Sequence, residues 1–359
     1  MFEKLTSSRR NLYVIVIALS IVNLAGKFFY NGLIYGLDFS LFHPDGTLYT
    51  FRSLSWIGNS QIESGRVVAE WYSQHAGKMN DIIPTSLHYE NNPNWPLYKF
   101  RILYSLLSVP FVYVFGVYGM LVIPALSYIG LLIILLEIGI AQNRVNAALF
   151  VIFLISTSLT ITRWMFINTT DSLFTFLAAL STYLVMKWNP SKVVFILQFS
   201  ILALMTVTRV SLFYAIPLIA VLYLKSRKQA LILSILAIGS FIPLLFTNIQ
   251  GSIAVTSTNG GLIEKISSFL SNSIKLLTVE IGQLVVFDKV LLALMALGVF
   301  LSFRNLQNTS SRFFLLSVSS TYLMSLLNGT PGVNFRFQLP IIAALVWALL
   351  ENSPRYRKI

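Results

Sequence analysis

Long apolar runs recur along this 359-residue chain, and they constrain its fold more than any other feature. Charged residues make up 11% of the sequence, whereas an average soluble domain has about 25%. With flanking residues, the runs reach the roughly 20 residues that a helix needs to cross a hydrocarbon core about 30 Å thick. Because backbone polar groups inside lipid must pair within their own segment, these runs should be helical. The sequence therefore predicts an all-α, polytopic transmembrane helical bundle.

About ten spans are expected within a single transmembrane domain that covers residues 1–359. The first span follows Lys4, Arg9 and Arg10 and is long enough to stay in the membrane, so we expect no cleavable signal peptide. The chain has no cysteine, which excludes disulfides and thiolate metal sites. The predicted spans are 11–29, 118–140, 146–162, 172–187, 193–208, 211–224, 230–247, 289–303, 313–328 and 337–350.

A further apolar segment, 102–117, decides the orientation of the later spans. If it does not cross, the predicted cytoplasmic parts hold 14 basic residues and two acidic ones. The positive-inside rule favours this arrangement, with both termini cytoplasmic. Residues 30–117 then form a first outer loop with juxtamembrane helices, and 248–288 a second outer segment with an amphipathic helix. The basic residues are scattered over short loops, and not gathered on one face as nucleic acid binding would require. The net charge of +13 therefore indicates membrane topology and contact with anionic lipids.

The first outer loop carries residues that suit acid–base chemistry. Asp45 follows His43 and precedes a predicted helix, on which Tyr49 and Arg52 would share a face. A carboxylate beside a tyrosine and an arginine suits a general base that deprotonates an acceptor group. The alternative is that Asp45 only caps the helix. Asp171, at the start of a later helix on the same side, has the same two interpretations.

Four arginines lie at predicted outer membrane boundaries, the side that the positive-inside rule disfavours. A guanidinium group matches phosphate oxygens in a bidentate manner, so such a set is a candidate phosphate site. We expect Arg101, Arg209 and Arg336 to bind a phosphate together with Lys99, and Arg163 to support them. The alternative is that each arginine extends to lipid headgroups.

A metal site and several other chemistries lack support. His43, His75 and His88 share the first outer loop, but their spacing matches no compact metal motif, so we assign no metal ligand. A divalent metal is conceivable there without support from the sequence. Glu137, near the predicted inner end of its span, should extend toward water. There is no hydrolase nucleophile motif, P-loop or dinucleotide fingerprint.

The order of several motifs resembles that of the polytopic GT-C glycosyltransferases, especially the branch with protein O-mannosyltransferases and lipid A aminoarabinose transferases. In that branch an outward loop after the first span reads roughly Pro-Asp-Glu-x-x-Tyr-Ala, and residues 44–50 read Pro-Asp-Gly-Thr-Leu-Tyr-Thr. A Pro/Tyr/Lys stretch then leads to an apolar helix ending in Phe-Gly, as 94–104 leads to 115–116 here. The last span opens with Arg and Pro, as Arg336 and Pro340 do. The chain departs at Gly46, which replaces an acid, and at Tyr98, which stands where the family has an acid.

The resemblance implies an enzyme that moves a sugar, with inversion, from a polyprenyl-phosphate donor to a lipid, glycan or protein acceptor on the outer face. It implies Asp45 as the general base, with Asp171 as a second candidate, no required cofactor, and the bacterial plasma membrane as location. Other classes stay open: an envelope polysaccharide polymerase or ligase, a lipid or oligosaccharide transporter or flippase, and a non-catalytic scaffold. A transport pathway would continue to the inner face, whereas a transferase needs only an outward cavity.

Overall fold

The computed structural model describes residues 8–35, 42, 45–75, 95–187, 191–209, 211–240, 262–327, 336 and 338–353, and these residues are all-α. The predicted loop segments 38–41, 76–94 and 248–261, with His43 and His88, lie outside the described residues. The helices are α1 (Arg9–Tyr35), α2 (Gly46–Trp56), α3 (Gln61–His75), α4 (Trp95–Phe100), α5 (Leu103–Phe115), α6 (Val122–Ala141), α7 (Val145–Thr157), α8 (Leu159–Met165), α9 (Asp171–Met186), α10 (Lys192–Thr206), α11 (Leu212–Lys225), α12 (Arg227–Gly239), α13 (Leu262–Phe287), α14 (Lys289–Arg304), α15 (Thr309–Leu327) and α16 (Ile342–Asn352), with 3-10 segments at Gly116–Leu121 and Leu339–Ile341.

The number of helices that can cross a membrane is smaller than predicted. Within the described chain, Arg9–Phe29 and Leu103–Ala141 are long and apolar enough. A third results if α7 and α8, which are bent by 73° at their junction, count as one span. The predicted count of ten therefore needs correction, because most predicted spans fall on short helices. Helix α9 has 16 residues and α10 has 15, lengths of about 24 Å or less against a core of about 30 Å.

The segment Leu103–Ala141 is not one straight helix, because the chain reverses at Gly116. The Tyr104 hydroxyl donates a hydrogen bond of 2.6 Å to the Met120 carbonyl, whereas a straight helix would separate these two residues by about 24 Å. Gly116 has φ of 59°, a conformation that favours glycine. Gly119 packs against the backbone of Phe111, where a side chain would overlap it. Helix α5 thus folds back beside the 3-10 segment, and α6 continues as a separate apolar helix.

Helix α9 lies at the centre of the bundle, with its most extensive packing against α6 and further packing against α10 and α16. Leu131 and Leu135 of α6 and Phe174 of α9 are fully buried. The outer helices instead expose large apolar side chains, such as Val22 of α1 and Ile196 of α10. Exposed apolar surface of this kind marks a lipid or partner interface.

Charged and polar contacts gather at the two ends of α9. Near its last turn, the Tyr183 hydroxyl donates to Glu137, which also accepts bonds of 2.7 and 2.8 Å from Arg9 at the start of α1. Asp171 stands at the other end, 12 residues earlier and hence about 18 Å away along the helix axis. Glu137 is only 14% exposed, so the expectation that it extends toward water is wrong. The Arg9 guanidinium of the adjacent helix α1 pairs with it instead.

A single carboxylate fixes the bend between α7 and α8. Asp288 caps α14 by accepting from the Leu291 backbone N–H at 3.0 Å. Its other oxygen accepts from the Ser158 hydroxyl at 2.5 Å and the Thr160 N–H at 3.0 Å, at the start of α8. One carboxylate therefore satisfies backbone donors of two helices, which are otherwise unpaired at a helix start. The bend directs α8, and with it Trp164, toward the end of the bundle that holds Asp171.

Candidate functional site

Two aspartates and two arginines from four distant segments meet at the Asp171 end of the bundle. Arg336 Nη1 lies 2.8 Å from Asp45 Oδ2, and Arg336 Nη2 lies 2.8 Å from Asp171 Oδ2. Arg336 Nε donates a second bond of 2.9 Å to the same Asp171 oxygen. Arg209 Nη1 pairs with Asp171 Oδ1. We call these four residues the carboxylate–guanidinium cluster, in which Arg336 joins the two aspartates.

Asp171 forms the buried side of the cluster. Its side chain is 1% exposed, and the Thr169 hydroxyl donates to Oδ2 at 2.7 Å. Burial alone would raise the pKa of this carboxyl, but Arg336 and Arg209 outweigh burial and hold the pKa well below its usual range. The N-cap residue of α9 is Thr170, and Asp171 is the first residue of the helix. A permanently ionised carboxylate with both oxygens occupied anchors the two guanidinium groups and is poorly suited to accept a proton.

Asp45 forms the accessible side of the cluster. Helix α2 begins at Gly46, as the sequence predicts, yet Asp45 makes no side-chain capping bond to it. The carboxylate turns to Arg336 instead, and its side chain remains 37% exposed. The helix-cap alternative therefore does not describe this residue. Asp45 keeps the access to an incoming molecule that Asp171 lacks.

Gly46 allows the chain to approach the loop before Asp171. A Cβ atom at this position would overlap the side-chain amide of Asn168. Asn168 is fully buried and donates to the Tyr72 hydroxyl, so it has little freedom to move aside. The acid that the resembled family carries at this position therefore has no room here. Asn168 was not predicted as a site residue, although its place in the polar run just before Asp171 was a usable signal.

Aromatic rings and Arg101 lie beside the cluster. The Tyr49 ring packs between Tyr98 and Tyr104, with centroid distances of 4.8 and 5.4 Å, and its hydroxyl lies 3.4 Å from Thr170 Oγ1. Arg101 forms a hydrogen bond with Tyr49, and its guanidinium carbon lies 5.6 Å from the Tyr98 ring centroid. Arg101 Nε is buried and has no hydrogen-bond partner among the described residues. This guanidinium retains capacity to bind an anion.

The other predicted site residues lie outside the cluster. Arg52 is buried and donates a bond of 2.6 Å to the Tyr98 carbonyl, so it ties α2 to α4. Lys99 and Arg163 are exposed. Next to Arg163, the buried Trp164 ring lies 4.9 Å from the Arg336 guanidinium carbon, a cation–π distance. Position 43 is outside the described residues.

The cluster is electrically balanced, so two of the arginines predicted to bind a phosphate are already paired with carboxylates. The two guanidinium groups face two carboxylates, so Arg209 and Arg336 are compensated by Asp171 and Asp45. Of the four predicted cations, Arg101 and Lys99 have no carboxylate partner among the described residues. Within the same residues, no three histidine or acidic side chains come together as a metal site would require.

A search for related proteins finds no matching family model, no matching curated protein and no matching solved structure. The likeness to the polytopic glycosyltransferases therefore rests on the residues of this chain, and the enzyme class stays a prediction.

Proposed function

We propose that this protein is a membrane glycosyltransferase that moves a sugar from a polyprenyl-phosphate-linked donor to an acceptor on the outer face of the membrane. The observation that carries the proposal is Arg336, which joins an accessible aspartate to a buried one at one end of an apolar bundle. Ionisable groups in such a setting are costly and are functional candidates. The acceptor is a lipid, a glycan or a protein, and the location is the bacterial plasma membrane with both termini cytoplasmic.

Asp45 is the proposed general base. The acceptor hydroxyl attacks the anomeric carbon while its proton passes to the Asp45 carboxylate. The bond between that carbon and the phosphate oxygen breaks, and polyprenyl phosphate leaves with the bonding electron pair. The exposure of Asp45 supports this role, because an acceptor must reach it from water. Its ion pair with Arg336 favours the ionised form that a base requires.

The donor phosphate is proposed to bind Arg101, with Lys99 nearby in sequence and Arg336 at the edge of the cluster. Arg101 is favoured because its Nε has no partner and its guanidinium lies against Tyr49 and Tyr98. A guanidinium can stabilise the charge that develops on the leaving phosphate. No metal is needed for this step, since the leaving group is already a phosphate.

The test is turnover by purified protein on a panel of polyprenyl-phosphate sugars, scored as release of polyprenyl phosphate. Asp45→Asn keeps the shape of the side chain and removes its basicity. Loss of a general base typically lowers the rate about 10²- to 10⁴-fold, so we expect at least about a 100-fold loss of turnover with donor binding retained. Near-normal turnover in Asp45→Asn would remove this residue from the mechanism.

A transporter is the second candidate, and one observation favours it. About 330 Å³ of empty space, part of it open to the outside, lies between α9, α10, α11 and α15. Hydroxyl groups of Ser181, Thr182, Ser317 and Thr321 line it, together with Tyr214. The cavity itself is what favours transport, but its lining contains no charged residue. Because transport sites near the midplane commonly use charges or broken helices, the uncharged lining makes transport the second candidate and not the first. Substrate uptake into sealed vesicles without release of polyprenyl phosphate would favour transport over transfer.

A further inference from the structure

Glu280 is a buried acid that the cluster does not use. It is the only charged residue between Lys275 and Asp288, and it is 2% exposed. Its carboxylate accepts hydrogen bonds from Tyr322 on α15 and from Gln338. One carboxylate oxygen, Oε2, is buried without a hydrogen-bond partner among the described residues. A buried acid with an unsatisfied oxygen is stable as a carboxylate only at a substantial cost.

The position of Gln338 links this acid to the cluster. Gln338 is fully buried, and its carbonyl accepts from the Ile341 N–H at 3.0 Å, which starts the 3-10 segment before α16. Gln338 follows Arg336 by two residues. The contact between Glu280 and Gln338 therefore joins helix α13 to the turn that carries Arg336.

The polar and titratable groups packed around Glu280 come from the helices and the turn next to α13. Helix α15 contributes the Tyr322 hydroxyl, and the Arg336 turn contributes Gln338. Helix α14 also packs on α13, and its charged groups nearest α13 are Asp288 and Lys289, eight and nine residues after Glu280. No cation among the described residues pairs with Glu280, and burial raises the pKa of its carboxyl to about 7.

We propose that Glu280 is a proton-controlled docking residue: its neutral form holds α13 against Tyr322 and the Arg336 turn, and its ionised form releases the helix. The proposal goes beyond glycosyl transfer, because it concerns how helices pack and holds whether or not the cluster is catalytic. Release would free the turn that sets the position of Arg336. Glu280 is thus a positioning residue and not a catalytic one.

The pH dependence follows from the docked and undocked states. In the docked state the Glu280 carboxyl has a pKa of about 7, against 4.5 for a glutamate in water. The docked state therefore binds more protons between these values, so docking is strongest below pH 4.5 and weakens as the pH rises through 7. The full difference corresponds to a docking equilibrium roughly 300-fold weaker above pH 7 than below pH 4.5.

The absence of native cysteine allows a direct test with single cysteines. Leu284 lies one turn after Glu280 and is 5% exposed, whereas its neighbour Val285 is 46% exposed. We expect the alkylation rate of Leu284→Cys, divided by that of Val285→Cys, to rise about tenfold from pH 6 to pH 8. The division removes the general effect of pH on thiol reactivity.

The matched control is Glu280→Gln in the Leu284→Cys chain, which keeps a hydrogen-bonding side chain of the same size and cannot ionise. In that chain we expect the ratio to change less than about twofold, because docking no longer depends on pH. An equal rise in both chains, or no rise in either, would overturn the proposal. If Leu284→Cys does not fold, amide hydrogen exchange of α13 is measured at pH 6 and pH 8 in the native chain and in Glu280→Gln. The rates are corrected for intrinsic exchange before the two chains are compared. Equal exchange in the two would also overturn it.

Discussion

Substitution of Asp171 by asparagine tests whether the buried side of the cluster holds the fold together. The native carboxylate accepts three bonds from the two guanidinium groups and one from Thr169. Asparagine has a single acceptor oxygen, and its amide group would face an arginine donor. The change also removes the carboxylate that pairs with the buried Arg209 guanidinium.

The expected size of the effect follows from burial. Removal of one partner from a buried ion pair costs about 3–5 kcal/mol, because the remaining charge stays buried and uncompensated. With an unfolding entropy of about 2.1 cal/mol/K per residue, a chain of 359 residues would lose roughly 4–7 °C in Tm. In detergent, helices remain after tertiary unfolding and lower the entropy of unfolding, so the loss of Tm should be at least this large.

The matched control changes the other aspartate on the same arginine. Asp45→Asn removes the partner of Arg336 whose side chain is 37% exposed, and water at this carboxylate should bring the loss nearer to the about 0–1 kcal/mol of exposed pairs. Thermal unfolding in detergent, followed by tryptophan fluorescence, should show a large loss of Tm for Asp171→Asn and less than about 2 °C for Asp45→Asn. Equal shifts for the two variants would refute the assignment of a buried and an accessible side. Replacing Arg209 by methionine in the Asp171→Asn chain should recover part of the loss, since fewer buried charges then lack a partner.

Two further predictions concern the surroundings of the cluster. Gly46→Ala should destabilise the protein by about 1–3 kcal/mol through overlap with Asn168, and the double variant Gly46→Ala/Asn168→Ala should cost less than the sum of its single changes in thermal unfolding. In equilibrium binding, Arg101→Ala should weaken the affinity for a short-chain polyprenyl phosphate at least about tenfold, and Arg101→Lys should restore only part of it. Lys99→Ala, at an exposed position, should change the same affinity less than about threefold. Equal losses for Arg101→Ala and Lys99→Ala would contradict this distinction.

Local signals in the sequence predicted local features of the fold. The start of α2 at Gly46 and the helix within 248–288 follow from residue pattern alone, and the described residues are all-α as expected. The number of spans did not follow, because an apolar run does not reveal where its helix ends or bends. The break at Ser158 depends on Asp288, 130 residues away in sequence. Apolar composition therefore predicted the class of fold but overestimated the length of its helices.

The sequence predicted which residues belong to the site but did not predict which of them pair with each other. Unusual arginines at helix ends pointed to Arg209 and Arg336, but nothing in their neighbourhoods indicated that Asp171 would bind both. Glu280 had a signal as the sole charge in an apolar stretch, and only the packing of α13 on α15 shows that it is buried. Long-range packing determines which charges are compensated.

Asp45 and Asp171 are nearly equivalent in sequence, since each stands at the start of a helix on the predicted outer side. Their different environments come from the helices that follow them. Helix α9 lies at the centre of the bundle against α6, so Asp171 at its start is sealed by Thr169 and two guanidinium groups. Helix α2 packs mainly on α5 and α3, so Asp45 keeps one side open. Arg336 pairs with both carboxylates, but only the Asp45 side chain is open to water on one side. Position in the bundle, and not residue type, therefore makes Asp171 an anchor for two guanidinium groups and leaves Asp45 open for the general-base role that we propose.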